Sequence, residues 1–205
     1  MNYLAHAYLS FGTPGITVGN MISDEVKGQK ILDYPPEIQQ GIRLHRMIDA
    51  FTDTHPATRE AKQIFRPAYR LYGAAFVDIV YDHFLAGDEA YFTDTSLLAF
   101  SRETYENLEP YRPSFPERFG KMFPYMKEQN WLYNYQFRWG IHNSFNGLVR
   151  RARYLSEADT AFELFESNYE TLRLAYRQFM PDVKAYAETS LAEIRSGAGS
   201  EYTAG

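Results

Sequence analysis

The stretch Pro35-Pro36-Glu37-Ile38-Gln39-Gln40-Gly41-Ile42-Arg43-Leu44-His45-Arg46-Met47-Ile48-Asp49 decides the fold class. Ile38, Ile42, His45, Ile48 and Asp49 recur at the three- and four-residue spacing of one helical face, and the two prolines suit a first turn. A helix is therefore expected from these prolines to about Phe51. The same period predicts helices over 57–65, from Pro67 to Leu85 with a stop at Gly87, and over 97–108, 116–126, 130–154 and 160–194, with Pro181 kinking the last. Strand patterns are almost absent, so the reading is all-α: one compact multi-helix domain over 1–195, followed by a flexible tail over 196–205.

Composition agrees with one packed domain. The chain has 205 residues, of which 34 are Phe, Tyr or Trp, too many large apolar groups for a disordered chain. There is no cysteine, which excludes disulfides, thiolate metal sites and a cysteine nucleophile. The N-terminal segment carries no basic leader and no later segment is apolar enough to span a bilayer, so a soluble, cytoplasmic protein without membrane association is expected. The net charge of −5 argues against a nucleic-acid binder. One region departs from that balance: between Glu128 and Glu157 there is no acidic residue, while Arg138, Arg150, Arg151 and Arg153 all fall there. That basic face fits an anionic partner, or an ordinary solvated helix end.

His45, Asp49 and Asp53 stand at i, i+4 and i+8, an arc of about 80° on a helix. They continue the apolar stripe of Ile38 and Ile42, where an uncompensated carboxylate would be costly. A divalent cation compensates it, because imidazole and carboxylate are ligands that Mn²⁺, Fe²⁺ and Zn²⁺ accept without thiolate. A second helix repeats the pattern with Asp78, Asp82 and His83, and His6 and Asp24 lie beside further apolar residues. Singly, each histidine fits a hydrogen-bonded core residue as well as a ligand. Asp53 and His55 also fit an exposed cap before Pro56, and Asp78 fits a solvated surface position.

Several passages together resemble a known family: Met1-Asn2-Tyr3-Leu4-Ala5-His6, Gly19-Asn20 with Asp24 and Gly28, Gly41-Ile42-Arg43-Leu44-His45-Arg46-Met47-Ile48-Asp49 with Thr52-Asp53, and Asp82-His83-Phe84-Leu85, with a weaker echo in Asn146-Gly147, Arg150 and Arg151. In this order, over about 1–190, they resemble the bacterial acyl carrier protein phosphodiesterases. The resemblance implies an all-α enzyme distantly related to the HD-type metal-dependent phosphohydrolases, acting in fatty acid metabolism. It implies hydrolysis of the phosphodiester between the serine of holo-acyl carrier protein and 4′-phosphopantetheine, with Mn²⁺ favoured and Mg²⁺ or Fe²⁺ as alternatives. Here the pair runs Asp82-His83 rather than His-Asp, so ligand roles do not transfer from the wider superfamily.

Phosphodiester hydrolysis needs a nucleophile at neutral pH and positive charge against the phosphate oxygens. A bound cation supplies both, since coordination lowers the pKa of water from about 15.7 toward 7. The roles expected are His45, Asp82 and His83 as ligands, with Asp24 and His6 as further ligands or orienting groups. Asp49 or Asp53 positions or deprotonates the water, and Arg46 or a later arginine steadies the phosphate. Arg138, Arg150 and Arg151 form the docking surface for the acidic carrier protein. Two other functions fit the same residues: a phosphohydrolase of small nucleotide-type substrates, and a non-catalytic helical binding module.

Overall fold

A computed structural model describes residues 1–197, which form eleven α-helices and, among the described residues, no strand. Two short N-terminal helices, α1 (Tyr3–Tyr8) and α2 (Pro14–Ile22), precede the long α3 (Pro36–Thr54) and α4 (Pro56–Tyr69). Proline at the first position of α2, α3 and α4 starts each where its missing N–H would have had no helical partner. Then follow α5 (Gly73–Ala86), α6 (Asp94–Leu108), α7 (Glu117–Glu128), α8 (Trp131–Asn134), α9 (Arg138–Arg151), α10 (Asp159–Ser167) and α11 (Tyr169–Ser196). Their apolar faces close on one core containing Leu4, Ile42, Ile48, Phe65, Phe76, Tyr81, Phe145 and Phe179. No described helix is long and apolar enough to cross a membrane.

Three boundaries differ from the sequence expectation. The first helix after Pro56 continues through Pro67 to Tyr69, and a single 3₁₀ turn, Arg70–Tyr72, separates it from α5. The helix expected over 130–154 is two, broken at Tyr135–Phe137, because α9 begins against the end of α8: a Cβ on Gly140 would lie 2.0 Å from the Asn134 carbonyl oxygen. The helix expected over 160–194 is also two, divided at Asn168, whose side chain donates to the Leu164 carbonyl at 2.9 Å. Helix α11 runs through Pro181 to Ser196. The expected tail lies outside the described residues from position 198 on.

The contact that positions the site is the crossing of α2 and α3. Cβ atoms built on Gly19 and Gly41 would lie 2.1 Å from the Ile38 carbonyl and 2.2 Å from the Ile16 carbonyl, distances only glycine permits. The two backbones thus touch without intervening side chains, and Asn20 on α2 is pressed against the face of α3 that carries His45. Replacing Gly41 by Ala forces the helices apart and should cost about 1–3 kcal/mol. Thermal melts check this; an unchanged melting temperature would show that the crossing tolerates a methyl group.

Candidate metal centre

Three buried or half-buried side chains from two helices converge beside this crossing. His6 of α1 and His45 of α3 stack face to face, with ring centroids 3.9 Å apart and planes inclined by 17°. Both rings are almost wholly buried. The His6 Nε2 lies 3.2 Å from one oxygen of Asp49, and the His45 Nε2 lies 3.0 Å from the other. One ligand atom from each of His6, His45 and Asp49 falls within 4.8 Å of the others. Asp24, in the 3₁₀ turn after α2, adds an oxygen 3.3 Å from His45 Nε2 and is 77% exposed, so the cluster opens to solvent on that side.

Asn20 sets the state of both rings. Its side-chain nitrogen donates to the His6 carbonyl at 2.9 Å and to Ser10 Oγ at 3.1 Å, which turns its Oδ1 toward His6 Nδ1 at 2.7 Å. Its backbone carbonyl accepts from His45 Nδ1 at 2.7 Å. An oxygen at each Nδ1 places the proton there and leaves each Nε2 of the neutral ring as a lone pair directed into the cluster. Among the described residues neither Nε2 makes a hydrogen bond: the Asp49 oxygens are near but out of line. A divalent cation would supply the missing partner. Metal–ligand bonds of about 2.1 Å require neighbouring ligand atoms about 3.0–3.4 Å apart, and the separations from the imidazoles to the carboxylates are 3.0–3.3 Å. The donor set fits the cation that sequence chemistry calls for.

Without that cation, one proton serves the pair. Burial alone would lower the pKa of His45, but Asp24 and Asp49 outweigh it and push the value up to about 9. His6 moves the other way, to about 4, because it is buried and faces the His45 charge. Burial opposes ionisation of Asp49, yet the Met1 α-ammonium and the two histidines hold its carboxyl far below the usual range. That ammonium is buried between Asp49 at 3.3 Å and Asp78 at 3.1 Å. Asp78, which the sequence suits to a solvated surface, is therefore an inward-facing partner, with its pKa raised chiefly by burial.

Other expected residues lie elsewhere. Asp82 caps α1, its two oxygens accepting from Leu4 N at 2.7 Å and Ala5 N at 3.1 Å. Burial raises its pKa to about 7, opposed first by those same N–H groups. His83 is not brought to the cluster: Nδ1 meets the Tyr135 carbonyl at 2.7 Å and Nε2 meets the Tyr169 hydroxyl at 3.0 Å, so both nitrogens are engaged in the core. Asp53 projects to solvent and pairs with Lys62 at 2.7 Å, because α3 turns it away from the stripe that holds His45 and Asp49. The Arg46 guanidinium donates to the Val26 carbonyl at 2.9 Å, tying α3 to the turn that carries Asp24. Arg138 is paired with Glu166 and lies 4.2 Å over the Tyr169 ring, which neutralises it as a docking charge. Arg150 and Arg151 remain exposed at the end of α9. The sequence reading missed Asn20 as the orienting group; its signal was one amide inside the apolar run from Ile16 to Ile22.

A model of the family described as acyl carrier protein phosphodiesterase matches residues 1–183. The chain is 33% identical over 189 residues to the acyl carrier protein phosphodiesterase of Photorhabdus laumondii subsp. laumondii, covering 92% of this chain and 96% of that protein. It is 33% identical to the one from Salmonella paratyphi A, over 91% of this chain and 97% of the relative. For the Yersinia pestis protein the identity is 31%, covering 92% and 98%. No solved structure matches the chain significantly.

Two outcomes are expected. Because a proton on His45 competes with the cation up to its pKa of about 9, binding to chelator-treated protein at pH 7 should release about one proton. Affinity should then rise about tenfold per pH unit and level off near that pKa. Calorimetry in buffers of different ionisation enthalpy reads the proton count, and a pH-independent affinity would contradict the shared proton. Asp82→Ala should lower stability by about 1–3 kcal/mol by stranding two buried N–H groups, while the affinity of the folded fraction for the cation stays within about threefold. A far larger loss of affinity would return Asp82 to the ligand set.

Proposed function

Since the chain belongs to the acyl carrier protein phosphodiesterase family, we propose that the His6–His45–Asp49 cluster is its reaction centre and holds a divalent cation, Mn²⁺ by preference. The supporting observation is the pair of buried Nε2 lone pairs that Asn20 aims beside a carboxylate. When bound, such a cation polarises a phosphodiester and makes water a competent nucleophile near neutral pH. The chain's own groups do the rest. His6 and His45 stay neutral as donors because Asn20 occupies both Nδ1 positions. Asp24, ionised and exposed at the open side beside His45, holds the attacking water by a hydrogen bond. Hydrolysis forms a bond from the water oxygen to phosphorus and breaks the bond from phosphorus to the serine oxygen. The products are apo-acyl carrier protein and 4′-phosphopantetheine.

Arg150 and Arg151 carry the docking of the acidic carrier protein in this reading. They fall in the longest acid-free interval of the sequence, between Glu128 and Glu157, and stay exposed, and opposite charge on a partner surface chiefly raises the association rate.

Incubating holo-acyl carrier protein with this protein and Mn²⁺, followed by intact-mass measurement, should show loss of the phosphopantetheine group. An unchanged mass after chelation and reloading with the metal would reject the reaction. Asp49→Asn should lower kcat by at least about a hundredfold, whereas Asp53→Asn, at an exposed ion pair, should stay within about twofold. Equal losses in both would place Asp53 in the chemistry. Reversing Arg150 to Glu should raise KM for holo-acyl carrier protein and flatten its salt dependence, with little effect on a small phosphodiester. Equal loss on both substrates would place Arg150 at the phosphate instead.

A further inference from the structure

One face of α9 has no role in the centre described above, yet it is built as a groove. Trp139, Asn143, Gly147 and Arg151 succeed one another at four-residue intervals, so they form a single stripe along the helix. The stripe is the floor of a cavity of about 300 Å³, walled on the other side by Asn2, Tyr3 and Trp131. From Trp139 to Arg151 the floor extends about 18 Å at the helical rise. Its Arg151 end adjoins α1, on which Tyr3 precedes His6 by three residues, and the Met1 ammonium beside Asn2 lies 3.3 Å from Asp49; the Tyr3 hydroxyl and the Arg151 guanidinium both meet the Met122 sulfur, each at 3.7 Å.

Gly147 has no reason in the fold. It lies inside a helix, where glycine is disfavoured, and a Cβ there would meet nothing within 4 Å. This contrasts with Gly19, Gly41 and Gly140, whose missing Cβ atoms admit a neighbouring backbone. The room above Gly147 is room in the groove.

We propose that this groove binds the pantetheine arm of the substrate, with the phosphate at the Tyr3 and Arg151 end and the thiol toward Trp139. The inference rests on the phosphodiesterase reading for the identity of the arm. Its length fits: an extended chain advances about 1.2 Å per bond, so the roughly thirteen bonds from phosphorus to sulfur reach about 16 Å. Its chemistry fits too. Two amides and a hydroxyl find amide partners in Asn2 and Asn143, the methylenes and geminal methyls lie against the indoles, and the anionic phosphate comes to the cationic end. A carrier docked on Arg150 and Arg151 then presents its serine phosphate to the centre while the arm runs away from it along α9.

The two tryptophans of the chain, Trp131 and Trp139, both line the groove, so intrinsic fluorescence reports directly on its occupancy. Titration with 4′-phosphopantetheine should change the emission saturably, pantetheine should do so with weaker affinity, and inorganic phosphate should not. Gly147→Leu, whose Cβ would meet no protein atom within 4 Å, should weaken binding at least tenfold without lowering the melting temperature. Trp139→Ala, at an exposed position, should weaken it independently. Silence of the fluorescence at saturating 4′-phosphopantetheine, wild-type affinity in both variants, or an equal response to inorganic phosphate would overturn the arm site. Turnover of holo-acyl carrier protein in the same preparations separates the two readings. Turnover with a silent groove removes the arm site and leaves the phosphodiesterase reading, while a groove response without turnover keeps the arm site and removes the reaction.

Discussion

The close crossing of α2 and α3 at Gly19 and Gly41 is the constraint from which the centre follows. Helices whose backbones touch have a fixed rotation and register, because any slip drives a carbonyl into a Cα. That register brings the Asn20 carbonyl to His45 Nδ1, and the side chain of the same residue reaches back to His6. One residue therefore orients two rings from different helices. The orientation is not adjustable by rotamer alone, since Asn20 is buried and each polar group of its side chain is engaged.

Electrostatics explain why neighbouring carboxylates behave so differently. Asp82 is fully buried and Asp49 half-buried, and Asp82 is held by two backbone N–H groups while Asp49 is held by cations. The first arrangement closes a helix end and leaves no coordination site. The second concentrates positive charge that a protonated imidazole or a metal can supply interchangeably, which is the exchange expected of a site that loads a metal by displacing protons. Asp24 is the most exposed member of the group, at 77% against 39% for Asp49, so in the proposed reaction a large substrate would approach on its side of the cluster.

The all-α class was legible from the apolar period, and the pairing of His45 with Asp49 from their four-residue spacing. Asp53 fails the same extrapolation because the stripe that faces the core ends before it, and Lys62 of the next helix offers an exposed partner. His83 sits on an apolar stripe as the spacing requires, but such a stripe records only burial. Whether a buried imidazole faces a ligand set or a carbonyl and a hydroxyl depends on which distant segments pack there, here Tyr135 and Tyr169. Asn20 and the two crossing glycines carry no periodic signal of their own. Their meaning comes from an interhelical contact that spacing within one helix does not encode.

The dependence of the whole centre on Asn20 is open to one direct measurement, Mn²⁺ binding by calorimetry to Asn20→Ala in comparison with the unaltered chain, with helicity checked by circular dichroism. Loss of the orienting hydrogen bond to His6 should weaken Mn²⁺ at least about tenfold in a protein that keeps its helical content. Unchanged affinity in a folded Asn20→Ala protein would show that the imidazoles are not held for a metal by the α2–α3 crossing.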